Sequence, residues 1–167
     1  MNADEERQNR FVVDSMLGKL ARWLRVLGCD ARSISLEDPG VLMALMNEGC
    51  TPVTRREKFR EVEGVVFIRS DHPFQQLKEL ITLVNLRGEE VRLFSRCTLC
   101  NASLDQIPGE AAFGVVPDYV FETVSDFRKC PECGRVYWPG SHRRKMIEQL
   151  ESLTGWSLRK GDEGGAE

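Results

Sequence analysis

Residues 11–28 read FVVDSMLGKLARWLRVLG. The apolar run 11–13 ends in Asp14, which is typical of a buried strand with a carboxylate at its C-terminal end. Large apolar side chains then recur every three or four residues over 16–27, the spacing of a helix with one buried face. Gly28 is a typical residue just beyond a helix C-terminus. The stretch therefore predicts a strand followed directly by a helix.

The same alternation continues along the next sixty or so residues. Further strands are predicted at 31–35, 51–54 and 65–68, and a short helix at 55–62. Two longer helices are predicted to begin at Asp38-Pro39 and at Asp71-His72-Pro73, because Asp caps a helix well and Pro suits its first turn. Strands that alternate with helices predict an α/β domain, a parallel sheet flanked by helices, at about residues 10–90.

Four cysteines beyond this domain form two Cys-x-x-Cys pairs, Cys97 with Cys100 and Cys130 with Cys133. Four thiolates complete the tetrahedral shell of Zn²⁺ and leave no open position, so such a metal is structural. A single redox pair and two disulfides are the alternatives, and disulfides require an oxidising compartment. The N-terminus is charged and lacks the apolar core of a signal peptide, so we expect a cytoplasmic protein.

After about residue 90 the elements become short and the connections carry Asn, Asp, Gly and Pro. Strands are predicted at 119–124 and 134–138, and a closing helix from Gly140-Ser141. Together with the cysteine pairs these elements predict a small zinc ribbon with a closing helix at about 91–155. The polar ends of the chain, 1–9 and 156–167, are predicted to be flexible tails.

The overall charge gives no sign of a nucleic-acid-binding protein, because 23 basic and 26 acidic residues leave a net charge of −3. No apolar run reaches the length of a membrane span. Any contact with nucleic acid must therefore be made by a local basic patch. The candidates lie on the polar side of the first helix and at the start of the closing helix: Lys19, Arg22, Arg25, Arg143 and Arg144. A solvated helix surface is the alternative interpretation of these residues.

Two acids follow predicted strands, Asp14 after the first and Asp71 closely after the fourth. The carboxyl ends of parallel strands are where α/β sheets bind their ligands. Carboxylates gathered there can hold Mg²⁺ or Mn²⁺ and activate water for phosphodiester cleavage. An Asp after a strand is also a common helix cap or turn former, so the spacing alone leaves both readings open.

Several segments resemble the Mut7-C ribonuclease domain family. They are 11–28 above, IRSD at 68–71, SRCTLCN at 95–101 and CPECGRVYWPGSH at 130–142. The resemblance covers about residues 10 to 150. It implies a PIN-like nuclease domain fused to a zinc ribbon, and divalent-metal-dependent cleavage of RNA at a cluster of acids.

The chain departs from the family pattern at two positions. Gly40 stands where an acid is expected at the second helix. After the third strand the family tends to have Thr-Arg-Asp, whereas this chain has Thr54-Arg55-Arg56, so Arg56 replaces the acid. Asp14 and Asp71 match the family's acids, and Asp38 is the third candidate catalytic acid, with Glu57 as a substitute. Two hypotheses follow: a metal-dependent ribonuclease, and an RNA- or protein-binding module derived from one.

Overall fold

The computed structural model describes residues 9–158 of the chain. Its first strand, β1 (Arg10–Asp14), is followed by a 3-10 turn at Ser15–Leu17 and by helix α1 (Gly18–Val26). The predicted strand-then-helix is thus confirmed. Strand residues 11–14 are all buried, and the apolar face of the helix lies in the core through Leu20, Ala21, Leu24 and Val26.

Four parallel strands form the main sheet in the order β2-β1-β3-β4. The other three are β2 (Asp30–Ile34), β3 (Thr51–Thr54) and β4 (Val66–Phe67). Because all four run in the same direction, their C-terminal ends meet along one side of the sheet, which we call the carboxyl edge. Asp14 and Thr54 end adjacent strands on this edge, which confirms the parallel α/β sheet predicted from the sequence.

Two further helices complete the first part of the fold, α2 (Pro39–Asn47) and α3 (Pro73–Leu83). Both begin at the proline that the sequence indicated. Helices α1 and α3 contact each other, and the ring centroids of Trp23 and Phe74 lie 4.8 Å apart. The helix predicted at 55–62 is wrong in extent, because it is reduced to a 3-10 turn at Glu57–Phe59.

Gly28 ends α1 at a point where the chain passes very close to itself. Its φ is +86°, and a Cβ there would lie 2.3 Å from the Arg92 carbonyl oxygen. The segment that approaches Gly28 is hydrogen-bonded to the end of α1. The N–H groups of Arg92 and Phe94 donate to the carbonyls of Leu27 and Val26, at 3.0 and 2.9 Å. Glycine is therefore required here both by backbone conformation and by space.

The chain divides into two compact units, Met1–Asn101 and Ala102–Glu167. The second contains an antiparallel sheet in the order β5-β6-β7, formed by β5 (Asp105–Ile107), β6 (Phe127–Lys129) and β7 (Val136–Tyr137). It also contains helices α4 (Asp118–Thr123) and α5 (Ser141–Thr154). Its core is made by Ala112, Val116, Val120, Phe127 and Val136.

The strand predicted at 119–124 is wrong, since this segment forms α4. Its aromatic and β-branched residues have high strand propensity, which is why the sequence predicts a strand here. The valines at 116, 120 and 124, however, are spaced four residues apart and all contact the same core. A period of four is helical, and burial on that period outweighed the propensity.

Within residues 9–158, no helix has both the length and the apolar character that crossing a membrane requires. The tails predicted at 1–9 and 156–167 lie outside the described residues, apart from Asn9 and 156–158.

Candidate acid site and metal centre

Asp14 is the most deeply placed acid on the carboxyl edge, with a fully buried side chain. Its Oδ2 accepts hydrogen bonds from Thr54 Oγ1 at 2.7 Å and from Arg56 Nε at 2.8 Å. Its Oδ1 faces the Leu36 amide N–H at 3.4 Å. A buried carboxylate needs such partners to offset its lost hydration. Both oxygens of Asp14 are therefore already engaged by the protein.

Arg56 supplies the positive charge beside Asp14. Its Nη2 also lies 3.3 Å from Glu37 Oε1, so one guanidinium bridges a buried and an exposed carboxylate. The Arg56 amide donates to Thr54 Oγ1 at 3.1 Å, which holds the start of its loop against the end of β3. The Arg56 side chain is only 25% exposed. A cation is thus built into the place where the family pattern has an acid.

Asp71 is paired in the same manner by the neighbouring arginine. Its side chain is 79% exposed, and Arg55 Nη2 donates to its Oδ1. Arg55 and Arg56, which we call the arginine pair, therefore neutralise Asp71 and Asp14, the two acids that the sequence resemblance proposed as catalytic. Lys58, two residues further on, donates to the Glu37 carbonyl oxygen.

Asp38, the third candidate acid, acts as the N-cap of α2. Its Oδ1 accepts from the amides of Gly40 at 2.6 Å and Val41 at 3.4 Å. Glu57 is paired with Arg60 at 3.1 Å. Among the described residues, no three acids lie close enough together to share an ion.

The loop that carries Asp71 is anchored by two residues of α3 that the sequence analysis did not identify as site residues. Glu79 accepts from the amides of Arg69 and Ser70 and from the Ser70 hydroxyl, at 2.9, 3.0 and 2.7 Å. Gln76, which is buried, donates to the carbonyls of Ser70 and Asp71. Nothing in the periodicity distinguishes Glu79 from an ordinary exposed helix acid, which is why it was missed.

The hydrogen bonds to Glu79 also set its protonation. Burial pushes the pKa of its carboxyl upward, but the hydrogen bonds from Ser70 and from the Arg69 amide outweigh this, so the pKa lies below its usual value. Glu79 therefore stays ionised at neutral pH.

The basic residues predicted to contact RNA differ in their surroundings. Lys19 and Arg22 are exposed three residues apart on α1, so they share one helix face. Arg25 is buried: its Nε donates to the Ala31 carbonyl, and its Nη1 donates to the carbonyls of Thr98 and Leu99, at 2.9, 3.0 and 2.8 Å. In the first turn of α5, Arg144 is exposed and Arg143 is partly buried.

The two Cys-x-x-Cys turns have the same backbone geometry. The amide of Asn101 donates to the Cys97 carbonyl and the amide of Gly134 donates to the Cys130 carbonyl, each at 2.9 Å. Asn101 and Gly134 also share the left-handed conformation, with φ of +68° and +72°. Each turn thus closes through a residue type that tolerates positive φ.

The sulfur atoms of Cys97, Cys100, Cys130 and Cys133 all lie within 4.8 Å of one another. Zinc–sulfur bonds of about 2.3 Å in a tetrahedron place the sulfurs about 3.8 Å apart, so the group is close to the required dimensions. Within residues 9–158 it is the only group of three or more Cys, His, Asp or Glu residues with that proximity. Four cysteines so placed can bind a metal such as zinc, as the sequence predicted.

The first cysteine turn is fastened to β2 by side chains. Asn101 Nδ2 donates to Asp30 Oδ1 at 2.6 Å, and its Oδ1 accepts from the Ala31 amide at 2.9 Å. Arg25 holds the carbonyls of residues 98 and 99 from the other direction. Asn101 is the last residue of the SRCTLCN segment, and its sequence position alone does not predict that its side chain binds β2.

The remaining cysteines take no part in the metal group. Cys29 is buried, and desolvation raises the pKa of its thiol to about 12, so it stays protonated. Cys50 is also buried, and its sulfur accepts a hydrogen bond from Arg32 Nη2 at 2.9 Å. Cys29 and Cys50 are therefore residues of the buried core.

Comparison with known proteins gives one match. The family model described as the Mut7-C RNAse domain matches residues 9–150. No curated protein matches the chain, and no solved structure does.

Proposed function

The chain belongs to the Mut7-C RNAse domain family, and from this premise we propose that it binds RNA without hydrolysing it through a divalent metal. The observation that carries the proposal is the Arg56–Asp14 ion pair at 2.8 Å. The family indicates RNA as the ligand. The geometry of the carboxyl edge supports the part of the proposal that excludes a metal-dependent step.

The ion pair opposes metal binding in two ways. Mg²⁺ and Mn²⁺ need several oxygen ligands, and both oxygens of Asp14 already accept hydrogen bonds. A divalent cation beside Asp14 would also lie near the Arg56 guanidinium, and repulsion between such charges costs several kcal/mol even at an effective dielectric constant of about 20. The arginine pair and the helix cap likewise engage Asp71 and Asp38.

RNA contacts in this proposal come from cations that are exposed or, at Arg143, partly exposed. Lys19 and Arg22 lie on α1, whose preceding turn follows Asp14 directly, and they would bind phosphate oxygens. Arg143 and Arg144, at the start of α5, are the second group proposed to contact RNA. Arg25 has its guanidinium committed to three carbonyls, so it serves this proposal as a structural residue. Binding through phosphates weakens steeply with salt and needs no divalent ion.

The ion proposed for the four cysteines is structural Zn²⁺. Four sulfurs leave no position for water or substrate, so this metal supports the fold and takes no part in chemistry on RNA.

A second candidate function, a metal-dependent ribonuclease, is supported by the placement of Asp14 and Asp71. Asp14 ends a central strand of the sheet, and Asp71 follows the strand at its edge by four residues. In this reading Asp14, Asp71 and Asp38 would hold Mg²⁺ or Mn²⁺, which would supply an activated water for attack on the phosphodiester. It requires Arg56 to leave Asp14 when RNA binds.

The deciding experiment compares the purified protein with Asp14→Asn on a labelled RNA of mixed structure. We expect RNA binding that is equal with and without Mn²⁺, falls with salt, and is accompanied by no cleavage. Lys19→Ala/Arg22→Ala should weaken this binding and reduce its salt dependence by roughly two phosphate contacts. Cleavage by the wild type in Mn²⁺ that Asp14→Asn abolishes would overturn the proposal and establish the ribonuclease.

A further inference from the structure

Residues 109–126 of the second unit, which we call the acidic segment, present large apolar side chains to solvent. Phe113 is 71% exposed, Tyr119 69% and Val115 62%. Their neighbours Ala112, Val116 and Val120 are buried in the core of that unit. The segment therefore has an inward side that completes the core and an outward apolar side that nothing within residues 9–158 covers.

The outward side chains are carried by a well-bonded backbone. Phe113 meets Phe121 edge to face, with ring centroids 5.3 Å apart, and Phe121 packs against the core. The amides of Val115 and Val116 donate to the Ala112 carbonyl at 3.0 and 3.2 Å. Aromatic side chains held in place in this way lose little entropy when a partner covers them, which is a property of protein interfaces.

The charge of the acidic segment selects the kind of partner. Its charged residues are all acids, and no Lys or Arg occurs between 109 and 126. Glu110, Asp118 and Glu122 are exposed. This charge repels RNA phosphates and anionic lipid surfaces, whereas it attracts a protein surface that carries Lys or Arg.

We propose that the acidic segment docks a protein partner that presents an apolar side chain flanked by Lys or Arg residues. Phe113, Val115 and Tyr119 supply the apolar contact, and the three exposed acids supply the electrostatic complement. This surface does not depend on the proposed RNA contacts, all of which are basic.

Two fluorescein-labelled peptides with the same Leu-Phe centre test the proposal, one flanked by Lys and Arg and the other by Glu. Fluorescence anisotropy with the full chain should show the basic peptide binding at least about tenfold more tightly than the acidic one. Phe113→Ser/Tyr119→Ser should weaken the basic peptide about tenfold. Glu110→Gln/Asp118→Asn/Glu122→Gln should weaken it severalfold and remove most of the salt dependence.

Leu83→Ser is the matched control, because Leu83 is 58% exposed in the first unit. It should leave peptide affinity unchanged. Equal affinity for the two peptides, or no loss in the Phe113/Tyr119 variant, would overturn the proposal. Sedimentation could instead detect a dimer of the wild type that persists in Leu83→Ser but not in Phe113→Ser/Tyr119→Ser. That result would overturn the proposal and show that the surface binds a second copy of the chain. Loss of RNA binding in this variant, with no preference between the peptides, would overturn it in favour of an RNA surface.

Discussion

The ion pair between Asp14 and Arg56 has consequences for stability as well as for chemistry. Asp14 is fully buried, and Arg56 is the only cation that the described contacts place on it. Removing one partner of a buried pair leaves an uncompensated charge, which typically costs about 3–5 kcal/mol. Because the Arg56 side chain is 25% exposed, solvent screening places the cost at the low end of this range. Substitutions at Arg56 must therefore be judged together with the charge that they leave behind.

Restoring the two missing acids should restore a metal site. In Gly40→Glu/Arg56→Asp, a carboxylate replaces the guanidinium that pairs with Asp14 and a second carboxylate is added at the start of α2, and Mn²⁺ should relieve the resulting negative charge. We expect Mn²⁺ to raise the thermal midpoint of this variant by several degrees and to support RNA cleavage. The wild-type midpoint should not respond to Mn²⁺. Differential scanning fluorimetry and the RNA assay measure the two effects.

The matched control is Gly40→Gln/Arg56→Asn, which has nearly the same shape without the charges. In both variants the new Cβ at position 40 would lie 3.0 Å from the Asp38 carboxylate, so any loosening of the helix cap is common to them. If the acidic variant bound Mn²⁺ no better than the neutral one, the carboxyl edge would not be a metal site even when its acids are restored.

At the residue scale, the sequence predicts where Asp14 and Arg56 lie but not which arginine pairs with which acid. The end of a buried strand placed Asp14 on the carboxyl edge, and the family pattern marked Arg56 as an anomaly. That Arg56 reaches Asp14 while Arg55 reaches Asp71 depends on side-chain rotamers, which no periodicity encodes. Glu79 and Asn101 were missed for the same reason, since each acts on backbone groups far away in sequence.

At the scale of elements, the junctions between helices and strands carry more constraint than their interiors. Helix α1 ends at Gly28, over which the chain near Arg92 passes in close contact. The loop after β4 is bound by α3 through Glu79. Both junctions hold segments that lead to a proposed site, the first to the cysteine turns and the second to Asp71.

Gly28→Ala should destabilise the protein by about 3 kcal/mol or more. Positive φ alone costs a non-glycine residue about 1–2 kcal/mol, and the contact of the new Cβ with the Arg92 carbonyl adds a steric term. Urea unfolding measures the loss. Gly49→Ala is the matched control, because Gly49 has a φ of +77° and nothing within 4 Å of an added Cβ. Equal losses in the two variants would show that the close approach contributes nothing.

Glu79→Gln should lower stability at neutral pH by about 1 kcal/mol and have a smaller effect near pH 3. The folded-state pKa of Glu79 lies below its unfolded value of about 4.3, so its contribution is present above that pH. It is lost as the pH falls through the lower, folded-state pKa. Unfolding in urea at pH 7 and pH 3, with the exposed Glu63→Gln as a control, checks this. A loss that did not change with pH would mean that the ionised carboxylate is not what anchors the loop.

Sequence patterns predicted the elements of the first unit better than those of the second. Long amphipathic spacing and Asp-Pro or His-Pro starts identified α2 and α3. Strands β5 and β6 were not predicted and α4 was mistaken for a strand, because elements of three to six residues contain less than two helical turns of pattern. In such short elements, burial against the core decides the conformation.

At the scale of the whole molecule, the two units differ in how much apolar core each can bury. The first has a four-stranded sheet covered by helices, and the sheet of the second consists of three strands of only two or three residues each. Small units of this kind usually need a staple such as a metal. The proposed zinc would therefore contribute most of its folding free energy to the second unit.

Removing the metal with a chelator should unfold the second unit before the first. Hydrogen exchange followed by mass spectrometry should show loss of protection in β5, β6 and β7 while β1 and β3 remain protected. Metal analysis of the untreated protein should give one zinc per chain. A Cys130→Ser/Cys133→Ser chain, handled without chelator, serves as the control and should show the same pattern. Simultaneous loss of protection in both units would contradict this account.

The attachment of the first cysteine turn to the α/β sheet has a consequence for the order of folding events. Cys97 and Cys100 belong to a turn that Arg25 and Asn101 bind to the α/β sheet, so their sulfurs are presented as soon as that sheet has folded. Cys130 and Cys133 belong to a turn that follows all four strands of that sheet in the chain. As the chain matures, we expect an ion to be captured first by the early pair and to recruit the later pair afterwards. The half-loaded protein would then be a distinct, short-lived species on the route to the native state.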